Sequence, residues 1–179
     1  MESYFGRVSD RFGDWKAYSA SAAARGLPAV EKTHEFAKAD TQGPSLVIVR
    51  DGRAAYDSFS QFREKLAGQP LALEQAVAHR HWNWSKHVLG WLDYNGPKLV
   101  LQFEDLRKPD DQILDQIGAF LGVSRTGDFT ATVEQMHGLR PKLASHGNTT
   151  LRAANMEAVV GDDFWERHGE AMRRMGYER

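Results

Sequence analysis

Residues 46–58 read LVIVRDGRAAYDS, and this stretch is the most informative part of the chain for its fold. It opens with four apolar residues, three of them β-branched, which predicts a strand buried on both faces. The Asp51-Gly52 pair predicts a tight turn, and the apolar spacing after it predicts a helix. Such a strand–turn–helix unit places Arg50, Arg53 and Ser58 at the carboxyl end of a buried strand. Open α/β sheets bind anions at that end.

The length and composition are those of a globular protein. The chain has 179 residues, a net charge of -1 and a hydrophobic fraction of 41%, enough for one domain with its own core. It has no cysteine, which excludes disulfides and thiolate chemistry. No apolar run approaches the length of a membrane span, and the N-terminus lacks the apolar core of a signal peptide. We therefore expect a soluble, cytoplasmic protein that binds neither nucleic acid nor membrane.

Strands and helices alternate along the rest of the chain. A second strand is predicted at 98–103 (KLVLQF), and a third, shorter candidate at 29–34 (AVEKTH). The segment 71–94 reads as one long helix or two, and 113–121 has a clear helical period. Residues 139–154 read as a loop, followed by a terminal amphipathic helix from Phe164. The alternation predicts a single α/β domain with a parallel sheet over residues 1–179.

Three groups of motifs, in this order, resemble one enzyme family. The first is Lys32-Thr33-His34, and the second is VRDGR at 49–53 with Ser58 eight positions after Arg50. The third is WSKHV at 84–88 with Trp91, followed by FEDL at 103–106 and FLG at 120–122. Together they resemble the cytosolic-type sulfotransferases, which use 3′-phosphoadenosine 5′-phosphosulfate (PAPS). The resemblance covers about residues 29–123.

The resemblance implies a fold and a reaction. The fold would be a P-loop-NTPase-like three-layer domain, with a mainly parallel central sheet flanked by helices. The reaction would transfer a sulfuryl group from PAPS to a hydroxyl or amine of a small-molecule or glycan acceptor. The product would be 3′,5′-adenosine bisphosphate (PAP), with no metal involved. His34 would be the general base, and Lys32 would stabilise charge on the bridging oxygen.

The same resemblance assigns residues to the cofactor. Arg50 would bind the 3′-phosphate bidentately, and Ser58 would add a hydroxyl from the first turn of the helix. Arg53 would contribute a second charge, and Phe103 would offer a stacking face where the family has Tyr. The remaining matches are Thr132 in the adenine pocket, Arg152 in a late phosphate-binding segment and His87 in the acceptor pocket.

One family motif has no match before Lys32, and this leaves alternatives open. The missing motif is the 5′-phosphosulfate loop, of the type Pro-Lys-Ser-Gly-Thr-Thr-Trp. Either the natural chain starts upstream of Met1, or the protein is a shortened relative that lacks half of its cofactor site. In the second case it would be a non-catalytic sulfotransferase-like binding module. A nucleotide kinase is disfavoured because it would need a Walker-type loop. A homodimer is left open, because the family's C-terminal dimer motif has no clear match.

Several of the assigned residues have a structural alternative. His34 could be an ordinary strand-end histidine, and Arg152 could belong to a solvated basic face. Arg50 and Asp51 could form an ion pair at the strand end. Ser58 could bond the backbone of its own helix.

Three other clusters are expected to be structural. The Glu104-Asp105 pair resembles an acid–base pair, but a strand end and helix cap is the favoured interpretation. The tryptophans at 82, 84 and 91 are expected in the core. The histidines at 79 and 81 would diverge on a helix, so no metal site is expected there.

Overall fold

The structure is a computed structural model that describes residues 24, 36–37, 43–68, 71–78, 83–107, 110–124 and 149–179. The chain divides into two units, Met1–Phe36 and Ala37–Arg179, and almost all of the described residues belong to the second unit. The expected strand at 29–34 lies outside the described residues. The expectation of one domain over residues 1–179 stays a prediction.

The described part of the second unit is an α/β structure, mostly helical, with a small parallel sheet. Its two strands are β1 (Ser45–Val49) and β2 (Lys98–Gln102). Its helices are α1 (Gly52–Ala67), α2 (Leu73–Ala78), α3 (Trp84–Asp93), α4 (Phe103–Leu106), α5 (Asp111–Leu121) and α6 (Thr149–Arg174).

The two strands pair in parallel, with Val49 opposite Gln102. Their carboxyl ends therefore lie at one edge, and the residues after β1 meet the residues after β2. The strand predicted at 46–49 is confirmed, but its burial on both faces is wrong. Val49 is 3% exposed, whereas Ile48 is 56% exposed. Successive side chains of a strand point to opposite faces, and only the face of Val47 and Val49 belongs to the core.

The predicted turn and helix after β1 are confirmed. Asp51 is the N-cap of α1, and its carboxylate accepts a 2.8 Å hydrogen bond from the N–H of Arg53. Gly52, the first residue of α1, lies against the rings of Trp84 and Phe164. An added Cβ would come within 3.0 Å of both rings. Gly68 ends the helix in the left-handed conformation.

The segment 71–94 forms two helices. Asn83 is extended, so a continuous helix is excluded, and its side chain accepts a 2.8 Å hydrogen bond from the N–H of Lys86. Trp84 and Trp91 on α3 are buried in the core as expected, and Trp82 lies outside the described residues. No helix in the described ranges combines the length and apolar character needed to cross a membrane.

The core is centred on α6, which packs against α1, α2 and α3. The loop expected at 139–154 is wrong for its last part, because α6 already begins at Thr149. Met156 and Val160 are buried four residues apart, so the apolar stripe starts well before Phe164. The polar, Thr- and Asn-rich composition of the first turns hid this period. Val160 itself has non-helical angles (φ -138, ψ 25), which mark a kink in the helix.

Candidate functional site

The carboxyl edge of the sheet brings Arg50 and Phe103 together. Each is the first residue after its strand, and the register of β1 and β2 makes them neighbours. The guanidinium carbon of Arg50 lies 5.1 Å from the centre of the Phe103 ring. A cation over an aromatic face is attracted by the ring quadrupole, so Phe103 supports and orients the guanidinium.

Two other arginines lie near Arg50. Burial lowers the pKa of the Arg50 guanidinium, and the positive charges of Arg152 and Arg107 lower it further, against the opposing effect of Glu104 and Asp51. Arg152 comes from the first turn of α6 and Arg107 from the end of α4. The fold thus gathers like charges at one edge of the sheet, and an anion placed there would relieve their repulsion.

Arg152 is held by a buried carboxylate on α1. Its Nη1 lies 2.7 Å from Oδ2 of Asp57, which is 2% exposed. Asp57 also accepts hydrogen bonds from the side-chain amides of Asn155 at 2.7 Å and Gln61 at 2.8 Å. Charge-assisted bonds of this kind are among the stronger hydrogen bonds in proteins, so this cluster joins α1 firmly to α6.

Arg53 points into a second ion-pair network. Its Nη2 lies 2.8 Å and its Nε 3.2 Å from the carboxylate oxygens of Asp51, and its Nη1 lies 3.6 Å from Glu157. The guanidinium also lies over the ring of Trp165, at 5.4 Å from its centre. Burial works against its charge, but the hydrogen bonds and charges of Asp51 and Glu157 raise the pKa of Arg53 above its usual value. Asp51 is therefore an ion-pair partner of Arg53.

The C-terminal residues close this edge of the sheet. Gly176 has a φ of 78, and the chain reverses there, with the N–H of Tyr177 bonded to the carbonyl of Met172 at 2.9 Å. This is the Schellman arrangement, and glycine suits its left-handed position. It directs the Tyr177 hydroxyl to Glu104, at 2.7 Å from Oε2. The amide of Gln102 also donates to the carbonyl of Met175 at 2.7 Å.

A concavity of about 490 Å³ opens beside this edge. Its walls come from the strand ends, the first half of α6 and the C-terminal residues. They include Asp51, Arg53, Glu104, Glu157 and Tyr177. The lining is rich in ion pairs, and it borders the strand ends that Arg50 and Phe103 follow.

The structure brings together three of the residues assigned to the cofactor, namely Arg50, Phe103 and Arg152. Arg53 lies three positions after Arg50 in the chain but is directed to Asp51 and Glu157. Ser58 is half-buried in the second turn of α1, one turn later than expected.

Four further residues carry roles assigned from the sequence. His87 is half-buried on α3, near the start of that helix. Lys32, His34 and Thr132 lie outside the described residues, so their roles stay predictions. In the described ranges, no three His, Asp or Glu side chains form a group that could hold a metal ion.

Sequence reasoning missed three residues of this edge. Asp57 follows Arg53 by four positions, and this spacing predicts an ion pair between these two residues within one helix. It does not predict the actual partner of Asp57, which is Arg152 on α6. Arg107 directly follows the FEDL motif at 103–106 but was not counted as part of it. Tyr177 follows Gly176 at a helix end, and this Gly-Tyr pair after an amphipathic helix was the available sign of a capping motif.

Comparisons with known proteins add no assignment. No protein-family model matches the chain, and no solved structure matches it at a significant level.

Proposed function

We propose that this chain is a PAPS-dependent sulfotransferase of the cytosolic type, with a P-loop-NTPase-like three-layer fold, and that Arg50 and Arg152 bind the 3′-phosphate of the nucleotide. The observation that supports this most is the contact of Arg50 with Phe103 at the carboxyl edge of the sheet, together with the charge of Arg152, which lowers the pKa of Arg50. Both positions had been matched to phosphate-binding segments of the family, and they are far apart in the chain. The proposal is supported by the position of Arg50, directly after β1, at the edge where open α/β sheets bind anions.

The electrostatics of the site suit a dianion. Arg50 is partly buried, and two neighbouring guanidiniums make its own charge costlier. A phosphate between Arg50 and Arg152 would replace repulsion by attraction and accept charge-assisted hydrogen bonds from both. Phe103 keeps the Arg50 guanidinium at the edge of the sheet, which reduces the entropy lost on binding.

The catalytic part of the proposal comes from the sequence. PAPS, when bound, supplies the sulfuryl group that is transferred. His34 accepts the proton that the acceptor hydroxyl or amine loses as it attacks sulfur. Lys32, two positions before His34 in the sequence, stabilises the negative charge that develops on the bridging oxygen.

Nucleotide binding tests the proposal directly. We expect the wild-type chain to bind PAP in calorimetry, and to bind adenosine 5′-monophosphate (AMP), which lacks the 3′-phosphate, at least tenfold more weakly, since a charge-assisted contact contributes roughly 1.5–3 kcal/mol. Arg50→Ala should remove this preference for PAP. Arg174→Ala is the matched control, because Arg174 forms an exposed pair with Asp93 at 2.7 Å. Equal affinities of the wild-type chain for PAP and AMP would contradict the proposal.

A non-catalytic binding module is the second candidate function. The observation in its favour is that no segment of the 179 residues resembles the family's 5′-phosphosulfate loop. The two candidates separate when binding and turnover are measured on the same sample. His34→Asn should leave PAP affinity unchanged and abolish sulfuryl transfer to a panel of hydroxyl and amine acceptors. PAP binding by the wild-type chain with no transfer from PAPS would favour the module.

A further inference from the structure

Asp57 is a buried carboxylate to which neither the sequence motifs nor the proposed chemistry assigns a role. It is 2% exposed and lies in the second turn of α1, directly before Ser58. Three side chains donate to it, from Arg152 at 2.7 Å, Asn155 at 2.7 Å and Gln61 at 2.8 Å. A buried charge is costly unless it is paired and hydrogen-bonded, and here both oxygens are engaged.

The position of Asp57 determines where Arg152 lies. Two of its three donors belong to the first half of α6, whereas Asp57 belongs to the helix that follows Arg50 in the chain. The side chain of Arg152 is 11% exposed, so it is fixed by packing as well as by the ion pair. An arginine side chain loses substantial rotamer entropy when it is fixed. Because Asp57 fixes Arg152 in the folded protein, that entropy is lost on folding and not when a ligand binds.

We propose that Asp57 is a positioning residue for the anion site, holding Arg152 beside Arg50 so that both guanidiniums are in place before the 3′-phosphate binds. The inference rests on the proposed function, because it needs a phosphate ligand at Arg50. Asp57 itself would not touch the ligand. It acts through Arg152, and Asn155 and Gln61 satisfy its remaining acceptor capacity.

The sign of one mutational effect separates positioning from simple electrostatics. Asp57→Asn removes a negative charge near an anion site, so a purely electrostatic role predicts tighter PAP binding. Positioning predicts weaker binding, because Arg152 regains rotamer freedom that the ligand must then restrict. We expect PAP affinity to fall about tenfold, from the rotamer entropy of one long side chain. AMP lacks the 3′-phosphate, and we expect its affinity to change less than about twofold.

A double-mutant cycle tests whether the effect runs through Arg152. Arg152→Ala should weaken PAP binding, and Asp57→Asn should then cause no further loss in that background. Asn155→Ala is the matched control: it removes a donor from the same carboxylate and leaves the Arg152–Asp57 pair in place. Its PAP affinity should stay within about twofold of the wild-type value. A role for Asp57 in folding alone would not produce this pattern.

A measurement on the wild-type chain keeps the inference testable if Asp57→Asn does not fold. Side-chain NMR without nucleotide should show restricted rotation of the Arg152 guanidinium, and averaged rotation for the exposed Arg174. Averaged rotation of Arg152 would overturn the inference. So would unchanged or tighter PAP binding by Asp57→Asn, while the proposed function would survive. Failure of the wild-type chain to bind PAP would overturn the proposed function and this inference together.

Discussion

The hydroxyl of Tyr177 donates a 2.7 Å hydrogen bond to Oε2 of Glu104, and Oε1 of the same carboxylate accepts from the backbone N–H of Asp51 at 3.3 Å. One side chain at the end of β2 therefore joins the end of β1 to the C-terminal segment. Burial, the hydrogen bond to Glu104 and the neighbouring carboxylates all raise the pKa of the Tyr177 hydroxyl. These contacts give Glu104 a structural role beside the strand end, but the expected cap is wrong, because Gln102 is the N-cap of α4.

Tyr177→Phe should destabilise the fold. The variant keeps the ring but leaves Oε2 of Glu104 without its donor, and hydrogen bonds to charged groups contribute roughly 1.5–3 kcal/mol. We expect the free energy of unfolding in urea to fall by an amount in that range. In the Glu104→Gln background the same change should cost less, because the charged acceptor is gone. An equal cost in both backgrounds would show that the hydroxyl does not act through Glu104.

Arg53→Ala should lower stability more than it lowers PAP affinity. Its guanidinium is engaged by Asp51 and Glu157 and covers Trp165, so its removal takes the ion-pair partner from the buried Asp51, whereas Glu157 keeps its pair with Arg179. Loss of a buried, paired charge costs about 3 kcal/mol or more, and the free energy of unfolding should show it. The loss of PAP affinity should be smaller than for Arg50→Ala. If Arg53→Ala abolished PAP binding in a folded protein, Arg53 would have the phosphate-binding role that its motif suggests.

Local patterns predicted the parts of the fold that depend on neighbours in the chain. The run of apolar β-branched residues before Arg50 predicted β1, and the Asp51-Gly52 pair predicted the start of α1, because strand propensity and N-capping depend on the local sequence. The placement of Arg50 beside Phe103 followed from two strands that end at the same edge.

Contacts between distant segments could not be predicted in this way. Arg152 lay in a segment that read as a loop, so neither its helix nor its bond to Asp57 was expected. The partner of Arg152 is Asp57, which stands directly before Ser58 and had no role of its own in the sequence motifs. Only the packing of α6 on α1 decides that these two side chains meet. The same holds for Tyr177 and Glu104, whose pairing depends on how the C-terminal reversal meets the sheet edge.

Gly52 should be intolerant of a side chain. A Cβ there would lie 3.0 Å from ring atoms of Trp84 and Phe164, both of which are buried. Gly52→Ala should therefore destabilise the fold by about 1–3 kcal/mol, since overpacking forces rings off their rotamers. Gly90→Ala is the matched control: nothing lies within 4 Å of its added Cβ, and it is inside α3. It should stabilise by about 0.5–1 kcal/mol. The midpoint temperature of thermal unfolding should therefore fall for Gly52→Ala and rise for Gly90→Ala.

His168 is buried where α6 meets α1 and α3. It is 2% exposed, and its Nδ1 lies 2.5 Å from Oγ of Ser85. The rings of Tyr56 and Phe164 are centred 5.1 and 4.9 Å from its own ring. Its Nε2 is buried with no hydrogen-bond partner in the described ranges, so a proton there would add an uncompensated charge. Burial, with the nearby positive charge of Arg167, lowers the pKa of His168 from 6.5 to about 4.

This environment predicts an acid-sensitive fold. Between pH 6.5 and about 4 the unfolded chain binds a proton at this histidine and the folded chain does not, so stability falls as the pH falls through that window. Above pH 6.5 and below about pH 4 the histidine has the same protonation in both states and contributes no slope. The total loss from this one group is roughly 3 kcal/mol, at about 1.4 kcal/mol per pH unit.

His168→Gln is neutral throughout and keeps a group that can bond Ser85, so its unfolding free energy in urea should decline less over that window. His87→Gln, which changes a half-buried histidine on α3, should retain the wild-type decline. If His168→Gln and the wild-type chain lost stability in parallel, the acid sensitivity would have to come from the carboxylates instead.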